Sequence, residues 1–89
     1  MMDWTVVWLP DAENELAQLW LDSTDRQRTT LAANQIDKLL RHDPDMAGES
    51  RAAGRRILIV PPLAVIYRVL PDDRLVQISN VREIGPRQP

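Results

Sequence analysis

The sequence has no cysteine, no phenylalanine and a single histidine, His42. Without thiols it can form neither disulfides nor thiolate metal sites. One histidine cannot build a histidine metal cluster, and neither a metal nor a cofactor is expected. With phenylalanine missing, most aromatic burial falls to tryptophan. The opening Met1-Met2-Asp3-Trp4 has no basic n-region and no apolar h-region, which predicts no secretory signal. No apolar run approaches the ~20 residues that a membrane helix needs. The expectation is a soluble cytoplasmic protein with no membrane partner.

The chain has 89 residues, enough for one small domain spanning residues 1–89. A domain of this size buries a modest share of its surface, and binding a partner would add to its stability by mass action. The net charge of −2 conceals an asymmetry. Residues 1–49 carry ten acids against four bases, a net of −6, whereas residues 50–89 carry seven arginines against three acids, a net of +4. The second half is the better candidate to face anions, with two solvated charged surfaces as the plainer reading. The domain-wide basic footprint of a nucleic-acid binder is missing.

Trp4 to Leu9 is short and rich in β-branched and aromatic residues, which predicts a strand. Pro10 ends it and suits the first turn of a helix, and Asp11, Glu13 and Glu15 suit that helix's positive end. Ala12, Leu16, Leu19 and Trp20 follow the spacing of one buried stripe. After a break at residues 22–25, a second helix from Arg26 to Arg41 carries Ala32, Ile36, Leu39 and Leu40 on one face. Arg41 and His42 suit its C-terminal dipole, and Pro44 blocks its continuation. The short break predicts an antiparallel helical hairpin. Residues 43–54 are polar and contain two glycines, which predicts a loop. The period then switches to strands over 56–60, 63–70 and 75–81, joined by Pro61-Pro62 and by Pro71 to Arg74. Tight connections make these three an antiparallel meander. The expected fold is α+β, in the order β-α-α-β-β-β, with a four-stranded sheet packed on the hairpin. Residues 82–89 are expected to form a C-terminal arm.

This order of elements, at this length, resembles the RelE/ParE toxin superfamily. Val6-Val7-Trp8-Leu9-Pro10-Asp11-Ala12, followed by Leu16, resembles the family's strand-to-helix entry. The run from Gly54 to Val69 resembles its central hairpin, with an arginine opening one strand and a tyrosine late in the next. Asp73 to Arg82 resembles its final strand. The match covers roughly residues 4 to 83. The resemblance implies the toxin of a bacterial type II toxin–antitoxin system, such as serves in plasmid stabilisation, neutralised by a cognate antitoxin in a hetero-oligomer. DNA would be contacted only through the antitoxin. Family members either cut messenger RNA on the ribosome or, in the ParE-like branch, inhibit DNA gyrase.

RNA cleavage needs a general base, a general acid and cations close together. In the ribosome-dependent branch, the resemblance places these on the central hairpin and near the C-terminus. Arg55 stands where one basic residue belongs. Ile57 and Ala64 stand where two others would be, and no histidine or tyrosine follows Val81. If the chain were a nuclease, Arg55, Arg68 and Arg82 would be its candidate catalytic residues. Arginine is a poor proton shuttle. The ParE-like reading is therefore favoured, with an mRNA interferase or a non-toxic antitoxin-binding, autoregulatory module as alternatives.

Target or antitoxin binding is assigned to Arg55, Arg56, Ala64, Ile66, Arg68 and Arg82. Each has a plainer reading. Arg55 or Arg56 can pair with the loop acids Asp45 or Glu49. Tyr67 alternates with Val65 and Val69, so it is expected to face the helices with its hydroxyl at an edge partner. Trp4, Trp8 and Trp20 are expected in the core. Ala64, Ile66 and Arg68 fall on the opposite sheet face, which an antitoxin segment is expected to cover, with the groove beside the helical hairpin as the alternative.

Overall fold

Pro10 decides how the chain leaves its first strand. The computed structural model describes residues 3–84. Strand β1 (Thr5–Trp8) runs into Leu9, whose extended backbone leads to the proline at the first position of α1 (Pro10–Asp22). Proline has no N–H to leave unsatisfied there, and its φ is already helical. Asp11 and Glu13 sit in that first turn, where the helix dipole favours negative charge. Helix α2 (Arg26–His42) starts at Asp25, whose carboxylate accepts the Arg28 amide at 3.1 Å. Arg41 and His42 occupy its last turn, as the sequence suggests. No helix among the described residues is long and apolar enough to cross a membrane.

The expected loop over residues 43–54 is folded instead. It contains a helical turn, α3 (Pro44–Ala47), and a two-residue strand, β2 (Glu49–Ser50). A 3-10 turn at Ala52–Gly54 then leads into β3 (Arg56–Val60). Strands β4 (Leu63–Leu70) and β5 (Leu75–Glu83) complete the chain. The sheet therefore has five strands, in the order β1-β5-β4-β3-β2. The meander β3-β4-β5 is antiparallel, as expected, while β1 joins the far side of β5 in parallel and makes the sheet mixed. Arg82 and Glu83 continue β5 rather than opening an arm. Ile84 follows, its amide donating to the Pro62 carbonyl at 2.7 Å, and residues 85–89 of the expected arm lie outside the described residues.

Both helices lie on one face of the sheet. Leu58, Leu63, Val65, Tyr67, Val76, Ile78 and Val81 point from the strands into the core, where Ala12, Ala32, Ile36 and Leu40 meet them. Burial of each large aliphatic side chain stabilises by roughly 1.5–3 kcal/mol. Trp4 and Trp8 pack against this cluster as predicted. Trp20 does not. It is 39% exposed, donates its indole N–H to the Thr30 hydroxyl at 3.1 Å and lies under the Arg26 guanidinium. Position 20 falls at the C-terminal end of the α1 stripe, beyond the sheet's cover.

Tyr67 explains why residues 43–50 are ordered. Its ring is fully buried, and its hydroxyl donates to the Pro44 carbonyl at 2.8 Å. Cross-strand from it, Arg56 donates to that hydroxyl, to the carbonyls of Asp45 and Gly48, and to the Ser50 hydroxyl. Arg56 thus binds loop carbonyls, not the loop carboxylates expected from the sequence; Arg51 takes Glu49 at 3.3 Å. Burial, opposed by the Arg56 charge, holds the Tyr67 phenol above its usual range, so it stays a neutral donor. Gly48 passes so close that a Cβ there would lie 2.5 Å from both the Ile57 carbonyl oxygen and the Tyr67 hydroxyl. Gly48→Ala should therefore lose about 1–3 kcal/mol in urea unfolding. Stability equal to the parent would mean that this close approach does not constrain the fold.

Candidate functional site

Among the described residues, two surfaces are the strongest candidates for a partner or target, one on each side of the sheet. The first is the face turned away from the helices. Register places Ile57 and Ile59 of β3, Ala64, Ile66 and Arg68 of β4, and Asn80 and Arg82 of β5 on this side. Ile59 is 52% exposed, Arg68 is exposed, and Ile57 and Ile66 are half-buried. Ala64, expected as part of the open face, is buried at 7%. It lies on a central strand between Ile59 and Arg82, and its methyl is shaded by these longer neighbours.

The six candidate residues do not form one cluster. Arg56 is spent on the residue 43–50 segment, and Ala64 is covered. Arg55 reaches only the Ala52 carbonyl, at 3.5 Å. It falls beside Arg68 and Ile66 at one end of the β3–β4 ladder. Arg82 lies opposite Ala64, four residues along β4 from Arg68, or about 13 Å in an extended strand.

Arg82 is committed to α1. Its guanidinium meets Glu15 at 2.7 Å. The same carboxylate accepts the Val81 amide at 2.8 Å and the Asn80 side-chain amide at 3.5 Å. The cause is topological. The ladder of β1 on β5 ends with Trp8 opposite Ile78, and Leu9 adds one last bond to the Ile78 carbonyl. Pro10 then turns the chain away, so beyond this point β5 has no neighbouring strand on that side. Glu15 takes the place of one. The sequence reading placed Glu15 only in the helix dipole and gave no sign of this contact.

The second surface is a groove between α1 and α2, with a volume of about 660 Å³. Trp8, Leu16, Ala17 and Ala33 are among its apolar lining, and Trp20 and Leu21 stand at it. Leu21 is 56% exposed. Glu13 and Asp37 give the groove an acidic border. Asp37 also accepts the Trp8 indole at 3.4 Å and Arg41 at 2.6 Å. The sequence hint was the adjacent pair Trp20-Leu21 at a helix end, where one stripe cannot bury both. Among the described residues, no group of histidine and acidic side chains converges to hold a metal ion.

The fold is shared with solved toxin–antitoxin proteins. A chain of the RelBE2 toxin–antitoxin complex from Mycobacterium tuberculosis aligns with a TM-score of 0.80 at 19% identity, covering 97% of each chain. A chain of the chromosomal ParDE system of P. aeruginosa gives 0.71 at 17% identity, over 92% of this chain and 97% of that one. The isolated E. coli RelE toxin gives 0.64 at 16% identity, over 96% and 87%. The chain thus has the RelE/ParE toxin fold, and the likeness spans both branches. No protein-family model matches the sequence, and no curated protein matches it.

The Glu15 contact carries a pH signature. The Val81 amide, aided by Arg82 and Asn80, holds the Glu15 carboxyl below its ordinary value of 4.5, against the opposing effect of burial. A depressed folded-state value means that the ionised form stabilises the fold. The contribution is complete above the unfolded value and is lost as pH falls through the folded one. The urea midpoint of the parent should therefore fall more steeply below pH 4.5 than that of Glu15→Gln. Parallel curves for the two proteins would remove Glu15 as a stabilising contact.

Proposed function

We propose that this chain is the toxin of a type II toxin–antitoxin pair, acting by protein contact in the manner of the ParE-like branch, with DNA gyrase as its target. The observation that carries the toxin part of this reading is the match over 97% of both chains to a component of a toxin–antitoxin complex. The disposition of the arginines favours contact over RNA cleavage. A nuclease site must gather cations around one phosphate. Here Arg82 is ion-paired and about 13 Å along the sheet from Arg68, and Arg56 is consumed by carbonyls. Ile57 and Ala64 cannot donate. The one tyrosine has its hydroxyl bonded to Pro44 inside the fold, leaving no surface phenol to act as an acid.

The α1–α2 groove is where the antitoxin binds in this reading. It is an apolar opening of about 660 Å³, and exposed Trp20 and Leu21 give a partner helix or strand something to bury. Partner segments of this kind commonly fold as they bind.

Expression of the chain alone in bacteria should arrest growth, and co-expression of its antitoxin should restore it. Purified protein should inhibit gyrase supercoiling and leave A-site messenger RNA intact on translating ribosomes. Ala17→Glu with Leu21→Asp should abolish rescue while the arrest persists. Growth without arrest would overturn the toxin reading. Cleavage between codon positions would replace gyrase inhibition with the interferase mechanism.

A further inference from the structure

We propose that the sheet corner formed by Arg55 and Arg68 binds an extended, carboxylate-bearing segment of a partner protein. The register pairs Arg56 with Tyr67 and Ile57 with Ile66. One step beyond the ladder, extended Arg55 comes opposite Arg68, and both side chains fall on the face away from the helices. Like charges directly across two strands repel, and such a pair is normally relieved by an acid. Among the described residues no acid relieves it. The ion pairs among the described residues join Arg41 to Asp37, Arg51 to Glu49 and Arg82 to Glu15. Arg55 has one long bond to a backbone carbonyl, and Arg68 has no hydrogen bond or ion pair there.

The turn beside the corner helps to hold the pair in place. Gly54 has φ +73°, and the Arg68 Nη1 lies 3.5 Å from where a Cβ on Gly54 would be. The guanidinium therefore rests against the bare backbone of the turn. Two exposed arginines at opposed positions of the ladder offer a carboxylate planar donor forks from both strands.

The surroundings select the ligand class. Ile57 and Ile66 adjoin the two arginines, and Ile59 follows two residues along β3. That repeat, about 7 Å, equals the spacing of same-side residues in an extended peptide. A segment alternating acid and aliphatic residues would place a carboxylate between the guanidiniums and its apolar groups on the isoleucines. Single-stranded nucleic acid needs aromatic platforms and a track of cations. The strand alternation puts Trp8 and Tyr67 on the opposite face, and Arg82, further along, is already paired. The inference does not depend on the toxin reading, because it rests on charge and register alone.

The test is an NMR titration of the purified chain with acetyl-(Glu-Val)4-amide, following the arginine Nε–Hε signals. The Arg55 and Arg68 signals should shift, and 0.4 M NaCl should weaken the binding. Arg55→Gln with Arg68→Gln should reduce affinity at least tenfold, while Arg28→Gln on the exposed face of α2 changes it less than twofold. Both corner residues are exposed, so circular dichroism should be unchanged. If the double variant does unfold, Arg68→Lys replaces it. That variant keeps the charge but loses the planar fork, and should still weaken binding severalfold. Unchanged affinity in these variants would overturn the proposal. So would equal binding of the (Lys-Val)4 peptide. Tighter binding of an eight-nucleotide oligo(U) at the same signals would assign the corner to nucleic acid instead.

Discussion

The hydrogen bond from the Tyr67 hydroxyl to the Pro44 carbonyl joins two parts of the chain that are 23 residues apart. Without it, the segment between α2 and β3 would have little apolar substance to hold it down. Pro44 is buried, but Asp45, Met46, Glu49 and Ser50 are exposed. The buried phenol turns the core itself into the anchor, and Arg56 spreads that anchorage over three more oxygens. In a buried setting, such a network is favourable only when each member is satisfied. Gly48 is the geometric condition for it, since its backbone must pass beside the hydroxyl. The outer edge of the sheet, β2, is a by-product of this arrangement, too short to exist alone.

At the other edge, a carboxylate does a strand's work. Parallel pairing of β1 with β5 requires the chain to cross over through the two helices before it returns. Because β1 is only four residues long, it covers less than half of β5. Exposed strand edges invite association with other chains, and natural proteins blunt them. Here α1, starting at Pro10, brings Glu15 to the Val81 amide at the open stretch. The price is Arg82, which the ion pair removes from the set of cations available for chemistry.

Much of this architecture was legible in the residues. The two helices announced themselves by stripes of period 3.6, by Pro10 and Pro44 at their ends and by the break at residues 22–25. The meander was legible from alternation and from tight, proline-bearing turns. Tyr67 could be placed in the core because Val65 and Val69 share its parity. Three things were not legible. The parallel position of β1 depends on contacts about 70 residues away in sequence, which no local pattern encodes. The order in residues 43–50 comes from Tyr67 and Arg56, so the segment's own polar composition pointed the wrong way. The burial of Ala64 follows from its neighbours' size rather than its own. At the candidate surfaces, the sequence supplied the arginines but not their employment. Arg56 and Arg82 proved to be structural links, while Arg55 and Arg68, equally basic on paper, meet no acid among the described residues.

The two open surfaces lie on opposite faces of a single sheet. The groove belongs to the helical layer and the arginine corner to the bare face behind it. A ligand seated in one does not sterically exclude a ligand seated in the other. A short segment can occupy only one of them, whereas a chain that reaches both must pass around an edge of the sheet. Such a chain gains from effective concentration, because docking at the first surface holds its remainder near the second. The opposite electrostatic character of the two surfaces then fixes its polarity. On these proposals its basic, apolar stretch would belong beside Glu13 in the groove, and its acidic stretch with Arg55 and Arg68. A reversed sequence would meet like charge at both ends.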